Sequence, residues 1–155
     1  MSESIEIRAI CADDPTALAL VRAMVEELDV VYGGRLDDPA APTATPEEMS
    51  PPGGAFVVVY DDGAPVAGGG VKRLDDETAE IKRMYVVPDA RSRGLARRLL
   101  RALEEAARGL GYARVRLDTG PLQPHAQALY ESEGYREIPD YNANPYASFW
   151  GDKEL

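Results

Sequence analysis

Cysteine occurs once in 155 residues, at Cys11, and histidine once, at His125. A single thiol excludes an intrachain disulfide framework and a thiolate metal cluster, and a single imidazole excludes a histidine metal cluster. No metal ligands are visible at the spacing such sites use. The lone thiol is expected to be buried, and it suits a reducing cytoplasm. Long apolar runs are also missing. The longest, Ala55 to Tyr60, falls far short of the roughly 20 residues of a bilayer-spanning helix, and the start of the chain alternates charge with isoleucine. No membrane contact and no signal peptide are therefore expected. Positive charge is in deficit: 17 basic against 27 acidic side chains give a net −10, which argues against nucleic-acid binding.

The amounts of what is present are ordinary. Apolar residues make up 45% and charged residues 28%, which excludes a disordered polyelectrolyte, and the length sets a single domain over 1–155. The distribution of charge is uneven. Between Lys82 and Arg116 ten basic residues face three acidic ones, a local +7 that leaves −17 for the rest. The middle of the chain is thus suited to hold an anion, and the remainder tolerates a cation.

Alternation of Ile5, Ile7 and Ala9 with Glu6 and Arg8 predicts a first strand. Asp13 and Asp14 before Pro15 form a helix start, and Leu18, Val21, Val25 and Leu28 are spaced as its buried face. From Gly33 to Gly54 five prolines and four glycines predict a long loop, with a helical turn at Pro46 to Met49. Phe56–Tyr60 and Val66–Leu74 read as a hairpin around Asp61-Asp62-Gly63-Ala64. Gly68-Gly69-Gly70 inside its second strand implies a bulge or the close approach of another backbone. A strand from Ala79 to Val87, a helix from Gly94 to about Gly109, a strand from Ala113 to Thr119 and a helix from Gln123 to Glu133 follow. Tyr135–Ile138 and Tyr146–Leu155 are the last strand candidates. This order predicts an α/β or α+β fold, one layer of sheet with helices on both sides.

The chemical signal lies in Arg91-Ser92-Arg93-Gly94-Leu95-Ala96, where a strand passes into an amphipathic helix. A helix N-terminus exposes unpaired N–H groups, and Gly94 and Ala96 let an anion approach that backbone, so the segment reads as a pyrophosphate cradle with Arg91, Arg93, Arg97 and Arg98 as mobile charge. The Gly-Lys-Ser/Thr of a nucleotide P-loop is missing. The segment resembles the acetyl-CoA loop of the GCN5-related N-acetyltransferase (GNAT) family, through Arg91, Gly94 and Ala96. Met84-Tyr85-Val86 before it resembles the strand that pairs with the pantetheine arm. Gln123, Ala126, Tyr130 and Gly134-Tyr135 resemble the second signature, with Gln123 where asparagine is usual. The resemblance covers roughly 79–135 and implies a mixed, mostly antiparallel sheet splayed between its middle strands.

It also implies the chemistry. Acetyl-CoA would be bound by Met84, Tyr85, Val86, residues 91–96, Gln123 and Tyr130, with no metal. Tyr130 would meet the departing thiolate, and the Val86 N–H would meet the oxyanion. Glu80, fourteen residues before Gly94, matches the base of the family's histone-acetylating branch, with water-mediated deprotonation or a structural pairing with Lys82 as alternatives. The acetyl group would pass directly to the amine of a small molecule or peptide. The acidic balance, with Glu26, Glu27, Asp29, Asp37 and Asp38 near the pocket, points to a cationic primary amine. His125 reads as a surface cap, and Tyr141, Tyr146, Phe149 and Trp150 as core or as an aromatic pocket wall. Many relatives form homodimers, so pairing of two chains is an expectation. The alternative function is an acyl-CoA sensor without catalysis.

Overall fold

The computed structural model describes residues 4–34 and 38–155. The strands are β1 (Ile5–Ile10), β2 (Ala55–Asp61), β3 (Ala64–Arg73), β4 (Thr78–Val86), β5 (Arg114–Thr119), β6 (Arg136–Glu137) and β7 (Phe149–Glu154). The helices are α1 (Pro15–Val31), α2 (Leu95–Gly109) and α3 (Pro124–Ser132). They form one seven-stranded sheet in the order β1-β2-β3-β4-β5-β7-β6, antiparallel at every pairing except β4–β5.

The apolar run of β2 is explained by helices on both faces. Phe56 and Val58 pack with Ala17 and Leu20 of α1, whereas Val57 and Val59 pack with Leu95, Leu99 and Leu103 of α2. Alternate side chains of one strand thus serve two cores, each fully buried one contributing about 1.5–3 kcal/mol. The tight reversal into β3 uses Asp62 and Gly63, both left-handed at φ 51° and 82°, the signature of a primed hairpin turn.

α1 starts as expected: Asp14 is the cap, its Oδ1 accepting from the Thr16 N–H at 2.9 Å, with Pro15 in the first turn. Its buried face is not the one expected. Ala17, Leu20 and Met24 face the sheet, while Leu18 and Val25 are exposed. The sheet beneath is lined by glycines, so small Ala17 seats the helix closely while Leu20 and Met24 reach down. Gly68 makes room for it, since a Cβ there would lie 2.9 Å from Leu20 Cδ1, and Gly70 makes room for the turn at 46–49, where a Cβ would lie 2.1 Å from Met49 Sδ. The glycine run therefore admits side chains, not another backbone.

Three smaller corrections follow from local packing. Cys11 is exposed at the end of β1. His125 is exposed inside the first turn of α3, and Gln123 occupies the cap position. The aromatics near the C-terminus divide: Phe149 is core, while Trp150 donates from Nε1 to Asn142 Oδ1 at 2.9 Å. The turn at 46–49 is present, closed by reciprocal bonds between Thr45 and Glu48. No helix among the described residues is long and apolar enough to cross a membrane.

Candidate active site

β4 and β5 pair in parallel only at Thr78–Arg114, Ala79–Val115 and Glu80–Arg116. Beyond that point β4 continues along β3 to Val86 and β5 continues along β7 to Thr119, so the two strands diverge and leave a wedge at their carboxyl ends. A bulge bends β4 away. Its register against β3 shifts between Gly68 and Gly70, which face Tyr85 and Lys82, and Arg83 takes a left-handed φ of 61°. Gly69 sits opposite, where a Cβ would be 2.9 Å from Leu103 Cδ1 and 3.2 Å from Met84 Cγ.

At the outer end of the wedge, Val87 N–H donates to Val66 of β3, so the neighbouring Val86 peptide groups point to the opposite, open edge. The Val86 carbonyl there accepts from Arg91 Nε at 2.9 Å. The chain then turns through Ser92 at φ 66° and Gly94 at φ 74° into α2. Such alternation gathers backbone N–H groups into an anion-binding concavity. No side chain caps the start of α2, and the space beside Gly94 is open, with no atom within 4 Å of a Cβ built there. The arginines are less mobile than expected. Arg91 forms a fork with Glu27 at 2.7 and 2.8 Å, Arg93 pairs with Asp61 at 2.8 Å, and Arg97 with Glu133 at 2.6 Å. Glu27 thus steadies the loop, and Tyr85 lies beneath the Arg91 guanidinium, 5.6 Å from ring centroid to Cζ.

The wedge widens into a cavity of about 450 Å³ between β4, β5, α1, the loop after 38 and the loop before β7. Met84, Gln123 and Tyr130 line it, as do Tyr32, Asp38, Asp118 and Tyr146. Asp37 lies outside the described residues. Asp38 donates its backbone N–H to Tyr146 Oη at 2.8 Å, which latches one loop to the other. Tyr130 is 7% exposed, and its hydroxyl has the Met84 sulfur, 3.9 Å away, as its polar neighbour among the described residues. Burial, reinforced by the Asp118 charge, pushes this phenol well above its ordinary pKa and keeps it protonated.

Glu80 is placed differently from the other residues singled out in the sequence. It is 1% exposed and is not part of the cavity wall. Its carboxylate accepts from Tyr141 Oη at 2.5 Å and Asn142 Nδ2 at 3.0 Å, and Lys82 Nζ stands 3.8 Å away. Asn142 Nδ2 also donates to Asp118 Oδ2 at 2.6 Å, with Asn144 Nδ2 at 3.2 Å. Of the two carboxylates held by this loop, Asp118 faces the cavity, while Glu80 braces the loop behind it.

Comparison with known proteins agrees with this geometry. The acetyltransferase (GNAT) family matches residues 21–135. The chain belongs to that family. It is 33% identical over 139 residues to the uncharacterized N-acetyltransferase YjgM of Escherichia coli, covering 86% of this chain and 82% of that one. It is 31% identical over 145 residues to an IAA acetyltransferase of Azospirillum brasilense, covering 90% and 94%. A GNAT family acetyltransferase of Elizabethkingia anophelis, solved with acetyl-CoA bound, shares the fold with a TM-score of 0.69 at 17% identity, over 99% of this chain and all of that one. The chain is thus an N-acetyltransferase of the GNAT family, and its splayed sheet is the family's.

Sequence reasoning missed Asp118, Tyr32 and the role of Arg83. Asp118 carried a usable signal: it is the last acid before the carboxyl end of β5, on the face shared with Arg114 and Arg116. Arg83 carried none, because its direction depends on the bulge.

Proposed function

We propose that this chain transfers an acetyl group from acetyl-CoA directly to a primary amine of a small molecule or peptide, without a covalent enzyme intermediate. What supports the reading is the succession along β4 of three features: the cavity wall with Met84 against the Tyr130 hydroxyl, the outward-facing peptide groups of Val86, and the uncapped start of α2 after the turn at 92–94. The residues fit the coenzyme. A diphosphate is matched by a helix N-terminus and by the concavity around Gly94, and an extended pantetheine arm is matched by the peptide edge at Val86. Arg91, Ser92, Arg93, Leu95, Ala96 and Gln123 complete that binding surface, with Met84 and Tyr85 on the strand beside it.

Acetyl-CoA supplies an activated acyl group as a thioester. The enzyme's part is to hold the amine beside it, collect the amine's proton and meet the charge that develops. Asp118, half-buried at the end of β5 and fixed by Asn142 and Asn144, is placed to receive the proton directly or through water. The C–N bond forms as the C–S bond breaks, and the departing sulfur is met by the Tyr130 hydroxyl. A phenol with a raised pKa remains protonated there at neutral pH and serves as a hydrogen-bond donor. The Val86 N–H, on the open edge, would donate to the coenzyme arm or to the developing oxyanion.

Thermal denaturation with and without acetyl-CoA, followed by a thiol-release assay over amines and peptides, tests the reading. A rise in Tm with acetyl-CoA and turnover of at least one amine are expected. A rise in Tm without turnover on any acceptor would instead make the chain an acyl-CoA sensor.

A further inference from the structure

We propose that the acceptor is an amino acid or a close relative, carrying a carboxylate as well as an amine, and that Arg83 on β4 grips the carboxylate. This names the substrate class of the site above and rests on the proposed acetyl transfer.

Arg83 lines the cavity, yet it forms no hydrogen bond or ion pair with any described residue, and its Nε is shut away from solvent without a partner. The counter-charge it feels is that of Glu48, which is already engaged by Lys72 Nζ at 2.9 Å and by the Thr45 N–H. A buried guanidinium N–H without a partner is unfavourable, and a carboxylate, which matches the planar fork, would complete this half-buried group. Arg83 is also held in a left-handed backbone conformation that such a residue rarely adopts, φ 61°, so its direction is fixed by the bulge.

Lys82, next to it, also lines the cavity and is poorly compensated. The Glu80 oxygen 3.8 Å away is beyond hydrogen-bond reach, and that carboxylate is occupied by Tyr141 and Asn142. Two neighbouring cations thus lie on the β4 side of the cavity, and Asp118 with Asp38 lies on the other walls. This division complements a molecule with an amine at one end and a carboxylate at the other. Among cationic primary amines it disfavours a polyamine, because Arg83 and Lys82 would repel one. The cavity, about 450 Å³, also suits a molecule of amino-acid size, and Met24, Val25 and Leu28 with Tyr32 and Tyr146 offer apolar wall to its side chain.

The test is a thiol-release assay with the common amino acids, each beside its own carboxamide, run on the wild type, Arg83→Gln and Arg83→Lys. Acetyl-CoA affinity is measured separately by calorimetry. The wild type is expected to favour a free carboxylate by about 10²-fold in kcat/KM, as sites built around a buried polar group reject analogues that leave it unpaired. Arg83→Gln should bring that ratio close to one, and Arg83→Lys should restore part of it. Three results would overturn the inference: carboxamides used as well as amino acids, no amino acid turned over, or Arg83→Gln losing acetyl-CoA affinity while keeping the ratio. Failure of the wild type to bind acetyl-CoA would sink the acetyl-transfer reading itself.

Discussion

In the proposed transfer Tyr130 and Asp118 divide the proton chemistry between them, and each can be removed by a near-isosteric change. Tyr130→Phe keeps the ring against Tyr135, whose centroid is 5.9 Å away, and deletes only the hydroxyl. We expect kcat to fall about 10²-fold with acetyl-CoA affinity little changed, measured by steady-state thiol release and calorimetry. For the base, Asp118→Asn should lower kcat/KM by about 10²-fold and by more than Glu80→Gln, since Asp118 lines the cavity and Glu80 is sealed behind Tyr141 and Asn142. The opposite ranking would return the role to Glu80. The sequence made Tyr130 legible because its spacing from Gln123 and Gly134 is local to one helix. It offered Glu80 and passed over Asp118 because the resemblance rests on spacing along the chain, whereas the residues that cover Glu80, Tyr141 and Asn142, come 61 and 62 positions later.

α3 carries Tyr130, and its end is fixed to α2 by one carboxylate. Glu133 accepts a fork from Arg101 at 2.7 and 3.1 Å and a further bond from Arg97 at 2.6 Å. The Arg101 hydrogen bonds first, then those of Arg97, hold its pKa down to about 2, against an ordinary value of 4.5. A depressed carboxylate stabilises the fold fully above its unfolded pKa and loses that contribution as pH falls through the folded one. Glu133→Gln should therefore lower Tm at pH 6, and the gap to wild type should close between about pH 4.5 and pH 2, as read by thermal melts across pH. Gly120, between β5 and α3, is held by close approach: a Cβ would stand 1.9 Å from Tyr32 Oη and 2.6 Å from the Tyr146 carbonyl. Gly120→Ala should cost about 1–3 kcal/mol in urea unfolding, because backbone as well as side chain must give. The elements themselves were readable where the signal is local, as in the Asp14 cap and the β2 run. The buried face of α1 was not, because the glycine that makes room for Leu20, Gly68, lies on β3, far along the chain.

Across the whole molecule, a mostly antiparallel sheet opens at its one parallel pairing, next to the bulge opposite Gly69. The same compactness has an alkaline limit. Tyr130, Tyr135 and Tyr141 are each pushed above the ordinary tyrosine pKa by burial first, with Asp118, Glu104 and Glu80 respectively adding like charge. A raised pKa stabilises the fold fully below the unfolded value near 10 and that contribution is lost at higher pH, so these phenols should ionise only on unfolding, measurable as a delayed tyrosinate absorbance step that coincides with loss of circular dichroism. The most direct measurement of the account is a crystal structure of the enzyme grown with coenzyme A. The diphosphate should rest on the amides of 92–96 and the sulfur should lie between β4 and β5 within hydrogen-bond reach of the Tyr130 hydroxyl. A coenzyme bound elsewhere, with those amides facing only solvent, would contradict it.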